Sequence, residues 1–126
     1  MDEKKKKVLI AEDEKPMANA VKLKLEKEGI EAVIAINGQE AVDFVKKENF
    51  DLVLLDLIMP VKDGFTALRE IRESGINVPV IIASNLSQGE DIEKAKKLGA
   101  IEYFVKSDTP ISEVVGKVKK ALSLSE

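Results

Sequence analysis

Short apolar runs alternate with longer amphipathic stretches along the chain. The runs are VLIA (8–11), AVIAI (32–36), DLVLLD (51–56), PVIIAS (79–84) and IEYFVK (101–106). Most are rich in Val and Ile and end at polar or turn residues, as strands do. Near-continuous apolar character means burial on both faces, which predicts a parallel sheet. The stretches between them repeat at helical spacing. Met17, Val21 and Leu25 recur every four residues, with Gly29 at the stop. Ala41, Val42 and Val45 mark a second helix after an Asn-Gly pair. Phe65, Leu68, Ile71 and Arg72 mark a third, capped by Asp63 before Gly64 and ended by Gly75. Ile92, Ala95 and Leu98 mark a fourth, stopped by Gly99. Ile111, Val114, Val115, Val118 and Leu122 form a clean stripe on a fifth.

Strand and helix therefore alternate five times. This predicts an α/β fold: an open, doubly wound, five-stranded parallel sheet with helices on both faces and right-handed crossovers. Such sheets bind ligands beyond the carboxyl ends of their strands. The 126 residues fit one domain, 1–126, led by a charged tail at 1–6. Lys4 to Lys7 read as a solvated basic run that blunts the first strand. No apolar run approaches the roughly 20 residues of a membrane helix, and MDEKKKK lacks the apolar stretch of a signal peptide, so a cytoplasmic location is expected. A net charge of −3 gives no reason to expect nucleic acid as a direct partner.

The polar residues at the strand ends change the picture. The first strand ends in Glu12 and Asp13, the third in Asp56, the fourth in Ser84 and the fifth in Lys106. Different strands thus deliver three acids, a hydroxyl and an ammonium to one edge. Clustered carboxylates repel unless a cation intervenes. The chain has neither His nor Cys, so any metal is held by oxygen, which favours a hard ion such as Mg²⁺, with Mn²⁺ the alternative. A carboxylate beside such an ion can attack phosphorus, while a lysine and a hydroxyl hold phosphoryl oxygens.

The chain also resembles the receiver domains of two-component response regulators, of the single-domain chemotaxis type, from about residue 7 to 122. The resemblance rests on LIAEDE, on LLDLIMPVKDG with its D-x-x-M-P-x-x-D-G pattern, on VIIASN and on GAIEYFVK. It implies a flavodoxin-like (βα)5 fold with strand order 2-1-3-4-5. By position it makes Asp56 the phosphoacceptor. Asp13 and Asp56 would hold Mg²⁺ directly, Glu12 largely through water, and Ile58 through its backbone carbonyl. Ser84 and Lys106 would contact the phosphoryl group, and Ser84 and Tyr103 would form a switch acting on the fourth helix, fifth strand and fifth helix. Ile58 and Leu86 would border the approach of hydrolytic water, and both are branched and apolar. A histidine kinase or phosphotransfer protein would be the donor. Output would go to an unknown protein or to an effector domain missing from this chain, with the domain a monomer or a weak phosphorylation-dependent dimer. The family's chemistry is self-catalysed phosphorylation and slow autodephosphorylation, not turnover.

Two departures from the family pattern stand beside the site. Ser107 follows Lys106 where the family usually has a cis-bonded Pro, and a cis bond at a non-Pro residue costs about 2.5–4 kcal/mol. Either the site meets that cost or the loop at 106–110 takes another path. Asn85 replaces a small residue and narrows access to Asp56. Among rival readings, a haloacid-dehalogenase-type phosphatase needs an acid two residues after its nucleophile, where this chain has Ile58. A flavin module needs a Ser/Thr/Gly-rich loop where it has EDEKPM. A binding module with a vestigial site is the third.

Overall fold

The computed structural model describes residues 5–123. Five strands, β1 (Lys7–Ala11), β2 (Glu31–Ala35), β3 (Leu52–Leu55), β4 (Val80–Ser84) and β5 (Ala100–Val105), alternate with helices α1 (Lys15–Lys27), α2 (Gly38–Lys47), α3 (Gly64–Glu73), α4 (Gly89–Lys97) and α5 (Ile111–Ala121). All strand pairs are parallel, in the order β2-β1-β3-β4-β5. The strands β3 and β4 are buried along their whole length, as their unbroken apolar runs require.

Alternate strand residues feed two cores. Leu9, Ala11, Val53 and Leu55 pack with α2, α3 and α4, whereas Val8, Ile10, Leu52 and Leu54 pack with α1 and α5. The helix α4 is the least anchored, since Ala95 is its one buried residue. Its end is held from outside: the Arg72 guanidinium donates to the carbonyls of Leu98 (3.0 Å), Ile76 (3.1 Å) and Val78 (2.8 Å). Arg72 is thus a tie between helix ends, not part of an apolar stripe.

Several boundaries differ from the sequence pattern by one residue. The strand β2 stops at Ala35 because the Ile36 amide turns to Glu40 Oε1 (3.0 Å), leaving Ile36 exposed. Asp56 lies one residue past β3, and Lys106 opens a 3-10 turn, Lys106–Asp108. Every peptide bond of the described residues is trans, so the loop after Lys106 takes the other path. Of the charged tail and basic run, residues 1–4 lie outside the described residues. Lys5 and Lys6 are exposed, while Lys7 belongs to β1.

Candidate functional site

The strand register places Ala11 beside Leu55, Leu55 beside Ile82, and Ser84 beside Val105. The residues that follow therefore share one edge. Backbone bonds carry the ladder a step further: the Glu12 amide donates to Ala35 O (2.9 Å) and the Asp56 amide to Ala11 O (3.0 Å). This fixes two acids at the lip of the sheet, each 5% exposed. Asp13, one residue on, is exposed.

Lys106 reaches back across this edge. Its ammonium donates to Glu12 Oε1 at 2.9 Å, Asp56 Oδ2 at 3.0 Å and Glu14 Oε1 at 3.3 Å. Backbone amides take the other oxygens, Glu14 N–H to Glu12 Oε2 (3.1 Å) and Ile58 N–H to Asp56 Oδ1 (3.2 Å). Burial pushes the Glu12 carboxyl above its ordinary range, against the pull of Lys106. Burial pulls the Lys106 ammonium down, but its bonds to Glu12 and Asp56 outweigh this and hold it firmly protonated.

One carboxylate oxygen from each of Glu12, Asp13 and Asp56 lies within 4.8 Å of the others. Three oxygen donors at that spacing, with Lys106 the one ammonium among the described residues bonded to Glu12 and Asp56, suit a hard divalent cation. This donor set fits the metal that the fold implies.

The loop after Asp56 explains the D-x-x-M-P-x-x-D-G spacing. Asp63 caps α3 by accepting the Thr66 amide at 2.8 Å. Gly64 follows because a Cβ there would lie 2.2 Å from the Asp56 carbonyl oxygen. Between Asp56 and Asp63, Val61 sits at φ 71°, where a β-branched residue is rare, and the Lys62 amide closes onto Pro60 O at 2.7 Å.

Ser84 is fully buried. Its hydroxyl oxygen accepts the Leu86 amide at 3.4 Å, and the Tyr103 hydroxyl donates to Leu86 O at 2.6 Å. The hydroxyl residue and the half-buried aromatic thus meet on one peptide segment. Burial, with Asp91 and Asp56 nearby, raises the Tyr103 pKa.

Asp13, Glu14, Asp56, Ile58, Asn85 and Lys106 line a cleft of about 210 Å³. Glu12, Asp13, Asp56 and Lys106 therefore converge as the sequence predicts, with Ser84 at the end of the neighbouring strand. Ile58 borders the opening and is 55% exposed, whereas Leu86 packs half-buried against the core. Sequence reasoning missed Glu14, although the third acid of EDE was a signal. It also missed a bond from the Ser107 amide to Asn85 Oδ1 (2.9 Å), which joins loops 22 residues apart and has no local signature.

Solved structures share this arrangement of elements. The receiver domain of the Francisella response regulator 1452 is 35% identical, with a TM-score of 0.87 over 94% of this chain and 97% of that one. A CheY-like receiver domain protein from Methanospirillum hungatei is 25% identical, with a TM-score of 0.88 over 95% of each chain. The Vibrio cholerae chemotaxis protein CheY4 is 25% identical, with a TM-score of 0.84 over 94% of this chain and 99% of that one. The family model of the response regulator receiver domain matches residues 8–117. With that match spanning most of the chain, the protein belongs to the response regulator receiver domain family, whose members serve phosphorelay signalling.

Proposed function

We propose that residues 1–126 act as one receiver unit that accepts a phosphoryl group on Asp56 in a Mg²⁺-dependent step, with a histidine kinase or phosphotransfer protein as donor. The observation that carries this is the Lys106 ammonium bonded to Asp56 beside the Glu12–Asp13–Asp56 cluster. An Asp56 oxygen forms the new O–P bond as the donor's bond to phosphorus breaks, and the leaving group departs with the electron pair. Asp13 and Asp56, the Ile58 carbonyl and, less directly, Glu12 would hold the cation. When bound, Mg²⁺ supplies the positive charge that lets a phosphoryl group approach three acids. Lys106 turns from Glu12 and Glu14 to a phosphoryl oxygen, and the Ser84 hydroxyl donates to another.

The switch then follows from Leu86. Movement of Ser84 toward the phosphoryl group drags the segment to which Tyr103 is bonded, and so remodels the surface of α4, β5 and α5. That surface serves an output protein or an effector domain. Among the described residues no helix is long and apolar enough to cross a membrane, and the work is assigned to the cytoplasm, where such a donor would act.

The test is incubation with acetyl phosphate with and without Mg²⁺, followed by intact mass. One added phosphoryl group is expected with Mg²⁺, lost in Asp56→Asn. Phosphorylation that persists in that variant rejects the assignment.

A further inference from the structure

Two residues that depart from the family pattern, Asn85 and Ser107, are bonded to each other. The Ser107 amide donates to Asn85 Oδ1 at 2.9 Å. A proline at 107 has no N–H to give, so this bond exists only because the chain carries a residue other than proline there. The trans backbone and the 3-10 turn at Lys106–Asp108 present that amide to the loop after β4. Asn85 itself lines the cleft with Asp56 and Lys106.

Ser107 is the residue next to Lys106. Anchoring its amide fixes the peptide from which the Lys106 side chain starts. From there a long, flexible side chain must deliver its ammonium to Glu12 and Asp56 at 2.9 and 3.0 Å. Thr109 supplies two further local restraints: its amide donates to Lys106 O at 3.3 Å, and its hydroxyl donates to Val105 O, on the peptide before Lys106, at 2.9 Å. Among these, the Asn85 bond alone holds the amide on the far side of Lys106, and it comes from the loop that follows β4, the strand that ends in Ser84.

We propose that Asn85 is a positioning residue for Lys106, a role that rests on the phosphoacceptor reading above. Its carboxamide oxygen clasps the loop after β5 to the loop after β4, and so holds the ammonium where the incoming phosphoryl oxygen arrives. The bond does what a rigid proline does elsewhere, by an interaction that a side chain can make or lose. It also makes Asn85 one wall of the opening, so removing it has two separable consequences, lost positioning and added space.

The test uses variants that separate these. Asn85→Leu keeps the bulk and removes the acceptor, Asn85→Ala removes both, and Asn85→Asp keeps an acceptor oxygen. Exchange of the Ser107 amide, followed by NMR, is expected to speed up about tenfold in the Leu and Ala variants and to stay slow in the Asp variant, as loss of one hydrogen bond predicts. The maximal rate of phosphorylation by acetyl phosphate at saturating Mg²⁺ is expected to fall about three- to tenfold in Asn85→Leu, with Mg²⁺ affinity unchanged. In a Lys106→Ala background the same substitution is expected to change nothing more, because its effect runs through Lys106. Three results overturn the proposal: unchanged Ser107 exchange in Asn85→Leu, an unchanged maximal rate, or an undiminished effect in the Lys106→Ala background. A parent protein that takes no phosphoryl group overturns the phosphoacceptor reading, and the role with it, while the exchange rates still report the bond.

Discussion

Both ends of the sheet carry lysine–carboxylate pairs, but they are built to opposite rules. At the amino edge Lys7 pairs with Glu48, its backbone amide takes Asp51 Oδ2 at 2.8 Å, and its ammonium lies 5.0 Å from the Phe50 ring. The Lys7 and Glu48 side chains are 24% and 30% exposed. At the carboxyl edge Lys106, Glu12 and Asp56 are 9%, 7% and 5% exposed, and one ammonium serves several acids. The first arrangement is a solvated strand end. The second holds more negative charge, further from water, than one lysine can balance. Buried charge short of counter-charge costs stability, and it is kept where function requires it. Identical residue types thus differ in meaning through burial and stoichiometry alone.

The largest expected break of this contrast is Lys106→Met. It leaves the Glu12 and Asp56 carboxylates buried with no ammonium, which is expected to cost about 3 kcal/mol in metal-free protein. Urea denaturation in EDTA measures it, and repetition in Mg²⁺ is expected to recover part of the loss by binding to the folded state. A loss under about 1 kcal/mol, the size of an exposed pair, means that the crevice is no more demanding than the surface.

Removing the acids sharpens the same contrast from the other side. Glu12 spends its oxygens on Lys106 and the Glu14 amide, whereas Asp13 stands exposed at the mouth. Glu12→Ala is expected to weaken Mg²⁺ binding about tenfold, as loss of an outer ligand does, and Asp13→Ala to weaken it more. Calorimetric titration showing the reverse order rejects that division of roles.

Much of this was legible in the chain, and the limits have physical causes. Apolar runs ending in acids, Ser and Lys place the crevice, because strand direction and sheet topology bring every carboxyl end to one edge. Asp63 was readable because a helix cap favours a short side-chain acceptor, whereas the close approach of Gly64 to the Asp56 carbonyl belongs to the folded loop and leaves no pattern in the chain. Arg72 was misread as part of an apolar stripe. Its long stem packs like an aliphatic residue while its guanidinium seeks carbonyls, and the pattern registers only its position. The Asn85–Ser107 bond was invisible, since a side chain meeting a backbone amide from a distant loop leaves no periodicity.

A smaller effect is expected at the opening of the cleft. On the proposed phosphoacceptor reading, an aspartyl phosphate would decay when water attacks in line, and the Ile58 side chain at the cleft border carries no polar atom that would orient that water. The Ile58→Asn, Leu86→Glu double variant is expected to hydrolyse about tenfold faster, or about 1.4 kcal/mol in barrier. Because Leu86 packs against the core, Ile58→Asn alone is expected to supply most of the gain. Decay no faster than the parent removes the apolar gate and leaves lifetime to the metal site.

The smallest effect belongs to the amino edge. Glu48 raises the Lys7 pKa chiefly through their hydrogen bond, with burial opposing, yet both side chains remain in contact with water. Solvent already stabilises each charge there, and salt screens what attraction is left. Lys7→Met is the clean probe, since methionine keeps an apolar stem over Phe50 and the Lys7 backbone bond to Asp51 survives. The urea midpoint is expected to stay within measurement error of the parent, at low and at high salt, and phosphorylation of Asp56 is expected to be unchanged. A destabilisation approaching that of Lys106→Met means that exposure does not separate the two ends. The stability cost of the crevice then belongs to lysine–carboxylate pairs in general, and not to crowding of acids out of water.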